Sequence, residues 1–153
     1  MKMYSIFEIA NWFLEKEPMT HKKMQKLCYY AQAWFLVLQD KAPLFGEKFE
    51  AWAHGPVNRE LWEKYKEYGY TEIPQKTSGE AKITDKKTED VLNSVWDTYG
   101  EMTGFQLEDM THEERPWAEA RGTIPYYAPS TAVIKENTMY AYYKSVRQEA
   151  AEM

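Results

Sequence analysis

Cys28 and the three histidines, His21, His54 and His112, are the residues of this chain best suited to nucleophilic or metal chemistry. Zinc sites are usually built from close-spaced ligand pairs such as HExxH or CxxC, and none occurs here. His21 and Cys28 fall two turns apart on one predicted helix, too far to chelate one ion together. Cys28 also lies on an apolar helical stripe, where a free thiol packs as a small hydrophobe. It lacks the exposure and neighbouring base that a reactive cysteine needs. No serine sits in a GxSxG elbow, and no glycine cluster is placed to cradle a phosphate. Glu108-Asp109 and Glu113-Glu114 are adjacent pairs, which diverge on a helix and read as solvated surface. A small hydrolase using His54 or His112 would need a deep pocket joining that histidine to Cys28 or to a carboxylate. The sequence therefore predicts no catalytic residue, no metal ligand and no cofactor, and a protein that is not an enzyme.

Binding is the other chemistry on offer. His21-Lys22-Lys23 and Lys26 form a small basic cluster near Tyr29 and Tyr30, and basic residues interleaved with rings can hold single-stranded nucleic acid. The footprint is slight in a chain with 19 basic and 24 acidic residues and a net charge of −5, because such binding is driven by phosphate neutralisation. No nucleic-acid partner is predicted. Cations near a helix N-terminus are mildly unfavourable. That mismatch predicts that Lys22, Lys23 or Lys26 meets an acidic group, within the fold or on a partner.

These residues need a scaffold, and 153 residues suffice for one real core. Mean hydropathy is low at −0.72, but 16% of residues are aromatic, and large rings bury much area each. A lone cysteine excludes an intramolecular disulfide and fits a reducing compartment. Glu8 interrupts the amino-terminal stretch before an apolar signal segment forms, and no apolar run approaches membrane-span length. A cytoplasmic chain without a membrane partner is expected.

Ser5 and Glu8 have capping-box spacing and open a first helix that Pro18 ends. Thr20 caps a second helix reaching about Leu38. Met24, Leu27, Cys28, Ala31, Phe35 and Leu38 form its main stripe, and its other side turns apolar beyond Lys26. This predicts a central helix, wet at its first turns and enclosed later. Residues 49–54 alternate as a short strand, Gly55-Pro56 turns the chain, and Asn58 caps a helix that Gly69 closes. Residues 70–84 are irregular, with Ala81–Ile83 as a possible second strand beside 48–53. Thr84 or Asp85 caps a helix to about Tyr99. Thr103 with Gln106, and Thr111 with Glu114, are two more capping-box spacings, predicting helices over about 104–110 and 112–121. A last helix starts between Ser130 and Thr138, and the tail frays from Glu149. The fold class is mainly α: one compact helical bundle around a central buried helix with a small two-stranded β element. The domain spans 1–149, with a tail over 150–153.

Two runs stand out. Met24-Gln-Lys-Leu-Cys-Tyr-Tyr-Ala-Gln32 resembles the first motif of the Panacea-domain family, a Leu-Gln-Lys-Leu-hydrophobic-Tyr-Tyr-Ala-Gln pattern. Pro43-Leu-Phe45 with Phe49-Glu-Ala-Trp-Ala-His-Gly-Pro-Val57 resembles the second. Tyr65-Lys-Glu-Tyr-Gly69, Val91 to Tyr99, Thr111-His112 and Pro116-Trp117-Ala118 to Ala120-Arg121 follow in the family's order, so the resemblance runs from about Tyr4 to Tyr143. Met24 and Cys28 replace other apolar residues in the pattern, which a core tolerates.

The resemblance implies a SocA-like antitoxin: a small helical domain, without catalytic residues, that binds another protein. In toxin–antitoxin members it neutralises a toxin encoded beside it, and SocA-like members also hand that toxin to a protease as an adaptor. Other relatives are phage-associated proteins. The alternative is thus a phage or prophage accessory protein that binds a host factor and has no cognate toxin. In either case a bacterial host cell is implied. Trp52, Gly55, Pro56, Val57 and Trp117 are expected to build the strand-to-helix corner and its support. Lys26, Tyr30, His54, Arg59 and Arg121 are expected to be less committed to the core and are the candidate partner surface, since Tyr and Arg are enriched at binding hot spots. The oligomeric state, and whether 70–84 orders on binding, stay open.

Overall fold

The computed structural model describes residues 3–152. Met1, Lys2 and Met153 lie outside it, and with them the ends of the amino-terminal reading and of the expected tail. The elements in order are α1 (Ile6–Leu14), α2 (His21–Leu38), β1 (Glu50–Trp52), β2 (Gly55–Val57), α3 (Arg59–Tyr65) with a 3₁₀ turn at Lys66–Tyr68, α4 (Lys86–Tyr99), α5 (Gly104–His112), α6 (Arg115–Arg121) and α7 (Glu136–Glu152). The fold is mainly α, with one two-stranded sheet among the described residues.

Local chemistry sets the helix starts. Ser5 and Glu8 form a reciprocal capping box on α1, as Thr103 and Gln106 do on α5. Thr20, Asn58 and Asp85 each accept a backbone N–H at the starts of α2, α3 and α4. Each such cap is worth about 1 kcal/mol.

Helix α2 is the axis of the molecule and packs against α1, α3, α4, α5, α7 and β2. It is buried on every side from Met24 to Ala33, which is what its all-round apolar sequence requires. Its first turn, His21 to Lys23, is only half-buried. Leu38, placed on the stripe by periodicity, is 39% exposed where the helix runs out. Fully buried Phe and Leu side chains such as Phe35 and Leu27 each contribute roughly 1.5–3 kcal/mol.

Strands β1 and β2 pair antiparallel, with Glu50 opposite Val57 and Trp52 opposite Gly55, so the turn is Ala53-His54. The Gly55-Pro56-Val57 corner is therefore itself the second strand. Ala81–Ile83 is not a strand. Lys82 has φ +59°, which breaks an extended run, and the Ala81 amide donates to Glu15 at 2.7 Å. The free edge of β1 is instead taken by residues 132–134, through Ala51 N–H to Ala132 and Ile134 N–H to Phe49, each at 2.8 Å.

The 70–84 stretch lacks helix and strand, yet it is tied down. Ile73 and Met19 exchange backbone hydrogen bonds, and Lys76 N–H donates to Leu14. Thr111 and Glu114 form no capping box. Thr111 is still inside α5, its hydroxyl donating to the Glu108 carbonyl at 2.7 Å. Glu114 is the N-cap of α6 without a side-chain cap, its carboxylate being taken by tyrosines. Helix α7 runs on through Glu152, past Glu149.

Candidate functional site

The β1–β2 hairpin and the first turns of α2 meet at one point. Gly55 has φ +99°, a conformation open to glycine at little steric cost. A Cβ there would sit 2.9 Å from Cε of Lys26 and 3.1 Å from Oγ1 of Thr111. The missing side chain admits the lysine stem. Lys26 is 1% exposed, and its Nζ donates to the Pro56 carbonyl at 3.3 Å. Neighbouring Gln25 is buried too, donating to the Asn58 carbonyl and accepting from the Asn58 amide. Two successive α2 side chains thus lock the hairpin and the start of α3 onto the central helix.

A cavity of about 430 Å³ opens beside this junction, within the size range of ligand pockets. Trp52, Trp62, Tyr70 and Phe105 provide ring walls, while His21, Lys22, Lys26 and His54 provide the polar groups. The two tryptophans meet edge to face at 5.4 Å. Tyr70 and Phe105 are 86% and 60% exposed, so large apolar surface faces outward. No Asp or Glu lines the cavity among the described residues, in a chain where acids outnumber bases.

Charge is unevenly satisfied there. Lys22 is paired with Glu108, whose carboxylate also lies 3.7 Å from Nδ1 of His54. Lys23 pairs with Glu17 at 3.1 Å. The predicted acidic partners of the basic cluster are thus found inside the fold for Lys22 and Lys23. Lys26 has none in contact among the described residues. Burial first, and then the nearby Lys22 charge, bring its amine down to about 7 against a weaker opposing pull from Glu108. Burial also lowers His21, helped by Lys26 and Lys22. Its Nδ1 is buried without a hydrogen-bond partner among the described residues.

The five candidate partner residues separate sharply. His54 and Arg59 are exposed. Arg59 bonds Glu50 at 2.9 Å and lies over the Trp52 ring. Lys26, Tyr30 and Arg121 are not surface residues, contrary to expectation. Tyr30 and Arg121 satisfy their polar groups inside the fold, which offsets the cost of burying them, whereas Lys26 is held by a single neutral carbonyl. Tyr30 stacks on Tyr99 with ring centres 4.2 Å apart and donates to Glu114 at 2.8 Å. Arg121 donates to the carbonyls of Ala51, Pro125, Tyr126 and Ala128. It is a clamp between β1 and the loop after α6. Among the corner residues, Gly55, Pro56, Val57 and Trp117 are buried, and Trp117 donates to the Trp52 carbonyl at 2.7 Å. Trp52 is half-buried and serves as a cavity wall.

Sequence reasoning missed Trp62, Tyr70 and Phe105 as parts of one site. They come from α3, the turn after it and α5, and share no sequence spacing. It also read Glu108-Asp109 as solvated surface and did not group that pair with His112. One turn of α5 brings a potential ligand atom of each within 4.8 Å of the others. Glu108 is already engaged by Lys22, and His112 stacks on Trp117 and meets the Tyr126 hydroxyl. Cys28 is fully buried, and burial pushes its thiol well up, away from reactive thiolate. The cavity lining includes neither Cys28 nor a carboxylate.

A central buried helix, a corner hairpin and an aromatic cavity between them define the class of protein. The chain belongs to the family described as Antitoxin SocA-like, Panacea domain, whose model matches residues 24–118. This is a shorter span than the resemblance suggested, but it holds both motifs, the hairpin and most of the cavity. No curated protein and no solved structure matches the chain. Among the described residues, no helix is long and apolar enough to cross a membrane.

Proposed function

We propose that this protein is an antitoxin-type binding module that neutralises a partner toxin by direct contact, without catalysis, and that the cavity between α2, the hairpin and α5 is its recognition groove. The observation carrying this reading is the composition of that groove: outward-facing rings with basic side chains and, among the described residues, no carboxylate, in an acidic chain. Exposed aromatic surface of this kind marks interaction sites more than cores. Membership in the antitoxin family supplies the kind of partner, a protein. Delivery of the toxin to a protease is the further role the family suggests. Nucleic acid fits less well, because Lys22 and Lys23 are already paired within the fold.

Co-expression with the product of the adjacent reading frame tests this. A stoichiometric complex and rescue of growth are expected. Tyr70→Ala and Phe105→Ala should weaken both, while Tyr127→Ala, an equally exposed ring away from the groove, should not. No complex and no toxicity would favour the accessory-protein reading, with a host factor as partner. A complex indifferent to Tyr70 and Phe105 would move the interface elsewhere.

A further inference from the structure

We propose that the groove receives a carboxylate from its protein partner, an aspartate or glutamate side chain presented beside an aromatic or aliphatic one, and that Lys26 is the group that binds it. This deepens the reading above and rests on it.

Three observations converge on Lys26. Its amine is buried, yet it lines an open cavity. Among the described residues its hydrogen-bond acceptor is one neutral carbonyl at 3.3 Å, although an ammonium carries three donors. The carboxylate nearest the site, Glu108, is already spent on Lys22 and His54. A cation out of water without a counter-charge is costly, and an anion placed beside it forms a strong charge-assisted bond. The ring walls fit the apolar neighbour of such a carboxylate better than a free small anion.

The chemistry has a consequence for pH. The free amine is largely neutral above pH 7, whereas a bound carboxylate requires the ammonium. Binding therefore takes one proton from solvent onto Nζ, and affinity falls as pH rises. The groups around Lys26 are His21 and Lys22 on α2, Glu108, Thr111 and His112 on α5, and Gly55-Pro56 on the hairpin, with His54 on the same cavity wall. His21 and His112 are both held low by burial, so proton uptake between pH 7.5 and 8.5 is not theirs.

The test uses N-acetyl-aspartyl-phenylalanine amide, and its asparaginyl counterpart as the neutral control, on the full chain with ¹³C-labelled lysines. The Lys26 ε-methylene signal is assigned through its backbone connectivities. The aspartyl peptide is expected to raise its midpoint by at least one pH unit and to bind at least tenfold more tightly than the asparaginyl one. Lys26→Met should remove that preference. If this variant fails to fold, the wild-type titration decides alone. For the partner complex, Kd should weaken up to tenfold per pH unit above pH 7 in wild type and stay flat in Lys26→Met. Equal binding of the two peptides with an unmoved Lys26 midpoint would overturn the proposal. A complex that forms with a flat pH profile would overturn it and leave the partner-binding reading intact. A Lys26 that responds to the peptide while no protein partner binds would overturn protein docking in favour of a small-carboxylate site.

Discussion

Lys26 occupies the space that a side chain on Gly55 would need. A Cβ at Gly55 would lie 2.9 Å from the lysine Cε, at a backbone φ of +99°. The two residues, one from each family motif, are therefore a steric pair. Gly55→Ala is expected to cost about 1–3 kcal/mol in backbone strain and about 1–3 kcal/mol more in overpacking, read by urea denaturation. Combining it with Lys26→Ala should recover the overpacking part but not the strain. Strict additivity of the two single losses would show that the residues do not compete for one space.

The buried amine should leave a signature in the stability of the free protein. With a folded value of about 7 against 10.5 for an ordinary lysine, the folded state binds fewer protons than the unfolded state between those limits. Stability therefore rises with pH across that window, by at most about 1.4 kcal/mol per unit. The penalty is complete below pH 7 and relieved toward pH 10.5. The difference in unfolding free energy between wild type and Lys26→Met, measured from pH 7 to 9.5, should show this slope. A flat difference would mean that Lys26 is charged throughout, with an acidic partner in solution.

Much of this arrangement was legible in the sequence because it is local. Ser5, Thr20, Asn58, Asp85 and Thr103 announced their caps, and the all-round apolar run of α2 announced its burial. The groove was not legible, because Trp52, Trp62, Tyr70 and Phe105 are brought together only by packing of α2, α3, α5 and the hairpin. The burial of Lys26, Tyr30 and Arg121 escaped for the opposite reason. Their polarity argued for the surface, and only the fold supplies the carboxylate and ring that hold Tyr30, the carbonyls that hold Arg121 and the space over Gly55 that admits Lys26. The strand expected at Ala81–Ile83 failed on backbone geometry at Lys82, which residue type alone does not reveal.

Arg121 holds four backbone carbonyls from two segments with one planar guanidinium. A lysine has a single point of attachment and cannot reproduce that fork. Arg121→Lys is expected to cost about 1–3 kcal/mol by giving up bonds to the buried Ala51 carbonyl and to the half-buried loop carbonyls. Residues 122–130 should lose hydrogen-exchange protection before the α2 core does. Loss of protection spread evenly over both would show that the clamp is not local.

Glu114 tests the tyrosine core behind the groove. Its Oε1 accepts from Tyr30 at 2.8 Å and from Tyr143 at 2.7 Å. Glu114→Gln keeps an acceptor and should cost about 1 kcal/mol or less, while Glu114→Ala strands the Tyr30 hydroxyl, leaves Tyr143 only its bond to Tyr29 and should cost about 1–3 kcal/mol. Burial raises the carboxyl above its ordinary 4.5, and the two tyrosine bonds pull the other way less strongly. The folded state then holds this proton more tightly than the unfolded state does. The resulting stability is present at low pH and is lost as pH rises from 4.5 through the folded value, the reverse of an ordinary paired carboxylate. Wild type should accordingly lose stability relative to Glu114→Gln over that interval in chemical denaturation. A relative gain would mean that the tyrosine hydrogen bonds outweigh burial and that Glu114 is held ionised in the core.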